Sequence, residues 1–312
     1  MSKLKGLLLT EGLHGMISQV EGLAKALGLD YFHEKVELNS FWNLIPPNLT
    51  PIQKFVFKNK ISRDFDIIIS CGRKSVAPSI YLKKSSDKKI INIHIQDPKV
   101  SLKNFDYIVS PEHDDLNGPN VINSKGAIHY LTLDEINNAK SYLENKLEKD
   151  KDIITLILGG PTNYYDYNNE NIIKIFSKVN KHLIENNLQL ILIPSNRTPK
   201  ETITFAKEYF NKNRLIVESV DKKAYLSSLA LSKYIVVTCD SSSMISEAAL
   251  TGKPVYVAMI PPKRNDKRFK KFRSLFEELN IIKELGNELT TWSYKSLDET
   301  SRVASKIKEQ LK

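Results

Sequence analysis

The stretch Val237–Pro254 reads VTCDSSSMISEAALTGKP. An apolar, strand-like run ends at Thr238, and the helical pattern that follows opens at Asp240, which can cap it. Ser241, Ser242 and Ser243 fill the first turn, with Met244 beside them. A helix N-terminus carries unpaired N–H groups and a partial positive charge, so three added hydroxyls make a plausible cradle for a diphosphate. Ser243 and Glu247 are four residues apart and share a helix face. A diphosphate at Ser243 leaves Glu247 one turn deeper, able to accept hydrogen bonds from ribose hydroxyls. Gly252 and Pro254 end the helix. A capped crossover helix whose serines merely solvate its start is the alternative. It leaves unexplained a glutamate inside the apolar run Met244–Leu250.

Two more segments in this half follow strand-like runs. Gly159 and Gly160, with Pro161 and Thr162, let backbone approach a ligand closely, or simply make a tight turn. Arg197, in Ile193–Pro199, can grip a phosphate bidentately, or lie on the surface before a proline-started helix. In the first half, Thr10–Met16 leads from strand to helix and carries Gly12, His14, Gly15 and Met16. His14 is a candidate general base, because histidine titrates near neutrality. Arg73 stands at another helix start. Asp97 and His113 follow later strands and are further candidate bases. The chain has no GxGxxG, no Walker A motif, no HExxH and no Ser-His-Asp elbow.

Positioning these loops requires strands that end together. Apolar runs alternate with helical patterns along all 312 residues, the signature of parallel sheets with crossover helices. Predicted strands in the first half are Lys5–Leu9, Asp66–Ser70, Ile90–Ile95 and Asp106–Ser110, with helices Met16–Leu27 and Arg73–Lys84. Leu133–Asp150 reads as a linker helix ending in a charged run. The pattern then restarts with strands Ile153–Leu158, Leu188–Ile193, Arg214–Val217, Tyr234–Thr238 and Val255–Met259. Helices Asn169–Glu185, Pro199–Phe210, Lys222–Leu231 and Ser241–Leu250 lie between them. Tyr294–Leu311 forms a last helix, expected to pack back across the domains. The fold class is therefore α/β, with two Rossmann-like parallel-sheet domains facing a cleft. The expected divisions are 1–132, a linker at 133–150, 151–290 and the helix within 291–312. Ligands in such sheets bind beyond the carboxyl ends of the strands.

The net charge of +10 suits anionic partners, though lysine richness by itself produces the same excess. Lys263–Phe276 holds seven basic residues and one acid, with Phe269, Phe272 and Phe276 on one helical face. It reads as a basic amphipathic helix for an anionic membrane surface or for an anionic substrate in the cleft, or as a solvated face over three core phenylalanines. Nothing in it marks a nucleic-acid module. The two cysteines, Cys71 and Cys239, form neither a metal site nor a disulfide framework. No metal and no cofactor is expected. The N-terminal stretch lacks the longer apolar run and the cleavage site of a signal peptide, and the two isolated thiols suit a reducing cytosol; a cytoplasmic location is the expectation, peripheral at the inner face of the membrane if the basic helix meets lipid.

Gly15-Met-Ile-Ser-Gln19, Gly22–Gly28, Cys71-Gly-Arg73, Gln96-Asp-Pro98, His113-Asp114, Gly159-Gly-Pro161, Arg197-Thr-Pro199, Asp240–Ala248 and Thr251–Tyr256 together resemble the mitochondrial-fission Elm-type family. The match runs in order from about residue 8 to about residue 285, and Asp240–Tyr256 is its most specific block. That family is similar to GT-B glycosyltransferases, including a peptidoglycan enzyme that moves N-acetylglucosamine onto a lipid-linked acceptor. The resemblance implies a metal-independent transferase using a nucleotide-diphosphate sugar, or a non-catalytic nucleotide- or membrane-binding adaptor. By analogy Ser246-Glu247 matches a ribose-holding Ser-Glu pair. The donor site would comprise Gly159–Thr162, Arg197, Asp240–Met244, Ser246 and Glu247. The acceptor side would comprise Gly12, Gly15, Met16, Gln19 and Arg73. Asn196 and Glu112 stand where the family often has basic residues. Lack of an NAD fingerprint argues against an epimerase of the usual type.

Overall fold

The computed structural model describes residues 3–61, 63–210 and 214–311; Met1 and Ser2, part of the stretch read against a signal peptide, lie outside them. In chain order the first strands are β1 (Lys5–Thr10), β2 (Asp30–Lys35), β3 (Ile67–Cys71), β4 (Ile91–Ile95), β5 (Tyr107–Pro111) and β6 (Val121–Ser124). Helices α1 (His14–Leu27) and α2 (Val76–Lys84) lie among them, followed by α3 (Leu133–Asn138) and α4 (Ser141–Glu144). The second set is β7 (Ile153–Leu158), β8 (Gln189–Pro194), β9 (Arg214–Ile216), β10 (Tyr234–Thr238), β11 (Val255–Ala258) and β12 (Ile282–Glu284). Its helices are α5 (Asn169–Glu185), α6 (Lys200–Tyr209), α7 (Lys222–Leu231), α8 (Ser242–Ala249) and α9 (Lys267–Glu278), and α10 (Glu299–Leu311) closes the chain.

The strands form two separate six-stranded sheets, parallel throughout, ordered β2-β1-β3-β4-β5-β6 and β12-β11-β10-β7-β8-β9. Both are Rossmann-like. β3, β7, β8 and β10 are buried along their whole length, as uniformly apolar strands covered on both faces must be. Sequence reading missed three strands. β2 (DYFHEK) is a polar edge strand, and β6 and β12 are short edges of four and three residues. Edge strands need no apolar run, so they leave little signal.

The chain divides into a unit of residues 1–130 with 298–312 and a unit of residues 131–297. The expected linker helix is two short helices, α3 opened by a capping box between Thr132 and Glu135. They dock on α7, where the Ser227 hydroxyl accepts from Leu143 N–H at 3.1 Å and donates to the Lys140 carbonyl at 2.9 Å. The last helix starts at Glu299 rather than Tyr294, and it is grouped with the first unit. Val303, Ala304 and Ile307 join the core of α1 and β3. The Glu299 carboxylate accepts the Lys125 amide at 2.7 Å, and Thr300 pins the backbone of His129. Among the described residues no helix is long and apolar enough to cross a membrane.

Candidate functional site

In the second sheet the chain starts at β7, winds outward through β8 and β9, and returns to β10 on the other side of β7. The order therefore reverses between β7 and β10, and the crevice beyond the carboxyl ends of that pair is where open α/β sheets hold ligands. The Gly159-Gly160 turn follows β7, and Asp240–Ser243 follows β10. A β-carbon on residue 159 would stand 2.1 Å from Asp240 Oδ2, and one on residue 160 would stand 2.0 Å from the Arg197 carbonyl oxygen. Only glycine fits at either position. The paired glycines thus serve close packing of three strand-end loops against one another.

Asp240 holds these loops together. Its carboxylate is fully buried and accepts from Arg197 Nη2 at 2.7 Å and the Gly160 amide at 3.2 Å. The Tyr167 hydroxyl lies 2.6 Å from both Asp240 Oδ1 and Thr238 Oγ1. Its single proton goes to the carboxylate, and Thr238 donates to the phenol oxygen. Burial, then the Asp240 charge, push the Tyr167 phenol well above its ordinary range, so it stays a donor. Arg197 also donates to the Gly160 carbonyl at 2.9 Å, while its side chain remains 40% exposed. Two expectations change here. Asp240 does not cap the helix, because its oxygens are engaged inside the turn. Arg197 is committed to Asp240 and the glycine turn, so it braces the loops. Tyr167 went unseen in the sequence, since nothing in NYYDYNN distinguishes one tyrosine from its neighbours.

Ser241 is the true cap of α8, its hydroxyl accepting the Met244 amide at 3.3 Å. The amides and hydroxyls of Ser242 and Ser243 make no hydrogen bond among the described residues, and both side chains are partly exposed. This is the open, positively polarised tip that the sequence predicts. Ser246 differs from expectation. It is buried, and its hydroxyl donates back to the Ser242 carbonyl at 2.8 Å, as serine does inside a helix when its side chain faces the backbone. Glu247 is partly buried. Its Oε2 accepts the Tyr225 hydroxyl at 2.7 Å, and Oε1 makes no bond among the described residues. Burial pushes its carboxyl up to about 7, against the pull of the Tyr225 bond. On that basis Glu247→Gln removes a pH dependence. A carboxyl whose folded pKa lies above its unfolded one costs stability as pH rises through the window from about 4.5 to 7. The variant is expected to match the parent below that window and exceed it by at most about 3 kcal/mol above pH 7. Urea denaturation at pH 4.5 and 8 reads the difference. Thr162 closes a turn, its hydroxyl accepting the amides of Tyr164 and Tyr165 at 3.0 and 3.1 Å, and Pro161 is exposed.

In the first unit the order reverses between β1 and β3. There Gly12 and Gly72 adopt φ of 85° and 94°, a left-handed backbone suited to glycine. His14 opens α1, exposed, with Nε2 3.4 Å from the Tyr130 hydroxyl. Arg73 is exposed and donates to the Asn43 carbonyl at 2.7 Å, and Gly15 sits in the first turn of α1. Met16 and Gln19 face inward rather than toward a ligand. Met16 sulfur would meet a residue-72 β-carbon at 2.7 Å, and Gln19 is buried over the Cys71 thiol. Asp97 is a poor base. Burial raises its carboxyl, but bonds from the Lys99 ammonium at 2.5 Å and amide at 2.8 Å outweigh that and hold it below the usual range. His113 is also withdrawn. The turn after β5 tucks its ring to 5% exposure, 3.7 Å from Asp114. Of the three candidate bases, His14 is the exposed one.

In α9 the apolar face is spent internally. Phe272 and Phe276 are buried, and Phe269 packs edge-on against Tyr164 and Tyr165 at 5.2 and 5.6 Å. Arg273 is buried with them, donating to Asp266 and Tyr165 at 3.1 Å each. Two of the three phenylalanines are thus spent in the core, as the solvated-face reading of this segment expects, while Phe269 and Leu275 stay partly exposed.

The sequence profile described as mitochondrial fission ELM1 matches residues 14–311. The chain belongs to the mitochondrial fission ELM1 family. Its relatives include an uncharacterized protein of Rickettsia prowazekii, 29% identical across 96% of each chain. The mitochondrial fission protein ELM1 of Arabidopsis thaliana is 23% identical, over 78% of this chain and 64% of its own length. A solved structure of UDP-GlcNAc 2-epimerase from Neisseria meningitidis, bound to UDP-GlcNAc, superposes with a TM-score of 0.56 at 12% identity, over 99% of both chains. At that identity the likeness shows the fold alone: this ELM1-family chain has the two-domain GT-B-like architecture. A solved epimerase shares that fold, so the fold by itself does not set epimerases apart from transferases.

Proposed function

We propose that the second unit binds a nucleoside-diphosphate sugar at the β7–β10 switch point, and that the protein transfers the sugar to an acceptor hydroxyl without a metal. The observation that carries this reading is the open tip of α8. The unpaired amides of Ser242 and Ser243 meet the diphosphate, with Glu247 Oε1 free one turn deeper for a ribose hydroxyl. Asp240, Arg197 and Tyr167 hold the glycine turn against that tip. In the reaction the bond from anomeric carbon to phosphate oxygen breaks, and the nucleoside diphosphate leaves with the electron pair. The acceptor oxygen bonds to the anomeric carbon and gives its proton to a base, for which His14 is the exposed candidate. The helix dipole and amides stabilise the leaving diphosphate in place of a metal.

A binding-only role is the second reading, favoured by the engagement of Asp97 and the burial of His113. Calorimetric titration with UDP, GDP and ADP tests the shared premise. One diphosphate is expected to bind, with affinity about tenfold weaker in Glu247→Ala, the usual loss on removing a charged hydrogen-bond partner. Indifference to all three overturns both readings. Release of free nucleoside diphosphate from the matching sugar nucleotide, dependent on an added acceptor, then separates transfer from binding alone. A changed sugar still attached to its nucleotide would mark epimerisation instead.

A further inference from the structure

A stretch of the first unit with short 3-10 turns but no α-helix or named strand, residues 36–60, carries four exposed large apolar residues that no function above uses. It lies on one face of the first sheet, where Leu38, Val56 and Phe57 sink into a core with Leu7, Leu9 and Ile68. A bridge between Leu38 and Phe57 ties its ends together. The anchored ends turn the middle outward. Phe41 is 65% exposed, Leu44 82%, Leu49 67% and Phe55 59%. These side chains are not scattered. Phe41 packs on Trp42 with ring centres 4.9 Å apart, and Trp42 on Phe55 at 6.0 Å. Leu44 follows within the same turn, its amide bonded to the Phe41 carbonyl. A contiguous apolar surface of this kind marks an interaction site rather than ordinary surface.

The charge beside it selects the partner. From Leu38 to Arg63 the chain has no Asp or Glu, and it has Lys54, Lys58, Lys60 and Arg63. Burial, and then the nearby Lys60 ammonium, lower the pKa of Lys54, so the cations crowd one another. Of the flanking acids, Asp64 is already paired with Lys88 at 2.6 Å, and Glu37 is exposed. Aromatic and aliphatic side chains projecting from a rim of lysines that, like Lys54 on the Asn59 carbonyl and the Phe57 ring, lack an acidic partner fit a bilayer interface with anionic headgroups, where tryptophan sits at headgroup depth and lysines meet phosphate. We infer that this segment docks the protein on an anionic lipid bilayer, with Phe41, Leu44 and Phe55 entering the interface and Lys54, Lys58 and Lys60 against the headgroups. A protein groove of matched shape would need acidic partners for the same lysines and is the competing outcome.

Flotation with phosphatidylcholine vesicles, with and without about 30% phosphatidylglycerol, tests the inference on the full chain. The wild type is expected to float with the anionic vesicles only, and less so at high salt. Phe41→Ser with Leu44→Ser should lower the bound fraction at least about tenfold, since two inserted apolar side chains are lost. Melting temperature and nucleotide affinity should not change. Lys58→Glu with Lys60→Glu gives a second route to the same loss. Lys270→Glu with Lys271→Glu on α9 should leave binding intact. Trp42 emission, read in a Trp292→Phe background, should shift to the blue on vesicle addition. Failure of the wild type to bind anionic vesicles overturns the inference. So does binding lost through the α9 variant but kept by Phe41→Ser with Leu44→Ser, or self-association that this pair abolishes in the absence of vesicle binding.

Discussion

Gly159→Ala is expected to unfold the second unit at a temperature roughly 6–12 °C lower than the parent. The added β-carbon stands 2.1 Å from Asp240 Oδ2, well inside any tolerated contact. Relief by moving Asp240 would break its bonds to Arg197, Tyr167 and the Gly160 amide, all made inside the protein. Relief by moving the glycine turn would break the Gly159 amide bond to Thr238 Oγ1 at 2.8 Å and the Gly159 carbonyl bonds to Ser195 and Thr198 at 3.0 and 2.6 Å. Overpacking of a rigid site costs about 3 kcal/mol, and this site offers no soft direction. Gly286→Ala is the control, since its β-carbon would meet nothing closer than 4.0 Å. Calorimetry of the two variants side by side reads the contrast. An unchanged melting temperature for Gly159→Ala would mean that the turn is not packed on Asp240.

Ser243→Glu is expected to separate stability from binding with opposite signs. A carboxylate in the first turn of α8 interacts favourably with the helix N-terminus, adding about 0.5 kcal/mol of stability. The same carboxylate occupies the anion position and repels a diphosphate. Affinity for the preferred nucleoside diphosphate should then fall about a hundredfold, the size of one lost charge-assisted bond plus the repulsion. Ser243→Ala, which keeps the amides, should lose only a few-fold. Titration calorimetry with thermal melts on the same samples measures both quantities. Destabilisation by Ser243→Glu would indicate a helix tip already occupied by protein.

Much of this was legible in the sequence because the central strands are uniformly apolar and the turns carry glycine. The apolar runs mark the strands from Ile67, Ile91, Ile153 and Tyr234 to within a residue of their ends, and with them the loops that follow. The open serine tip with Glu247 behind it was also readable, because helix periodicity puts them on one face. What failed was the fate of individual polar groups. Asp240 reads as a cap until Arg197 and Tyr167, 43 and 73 residues away in the chain, arrive to bury it. Ser246 reads as a ligand until its rotamer is seen to point at its own helix. His113 and Asp97 follow strands as a base should, but one is covered and the other neutralised by Lys99. Position along a strand is local information, whereas burial and pairing depend on contacts distant in sequence.

A crystal structure of the protein grown with saturating nucleoside diphosphate shows whether the tip of α8 receives the phosphates. Phosphate oxygens are expected within about 3.2 Å of the Ser242 and Ser243 amides, with a ribose hydroxyl on Glu247 and Arg197 still bound to Asp240. Nucleotide bound elsewhere on the chain, or a bare α8 tip at saturation, would contradict it.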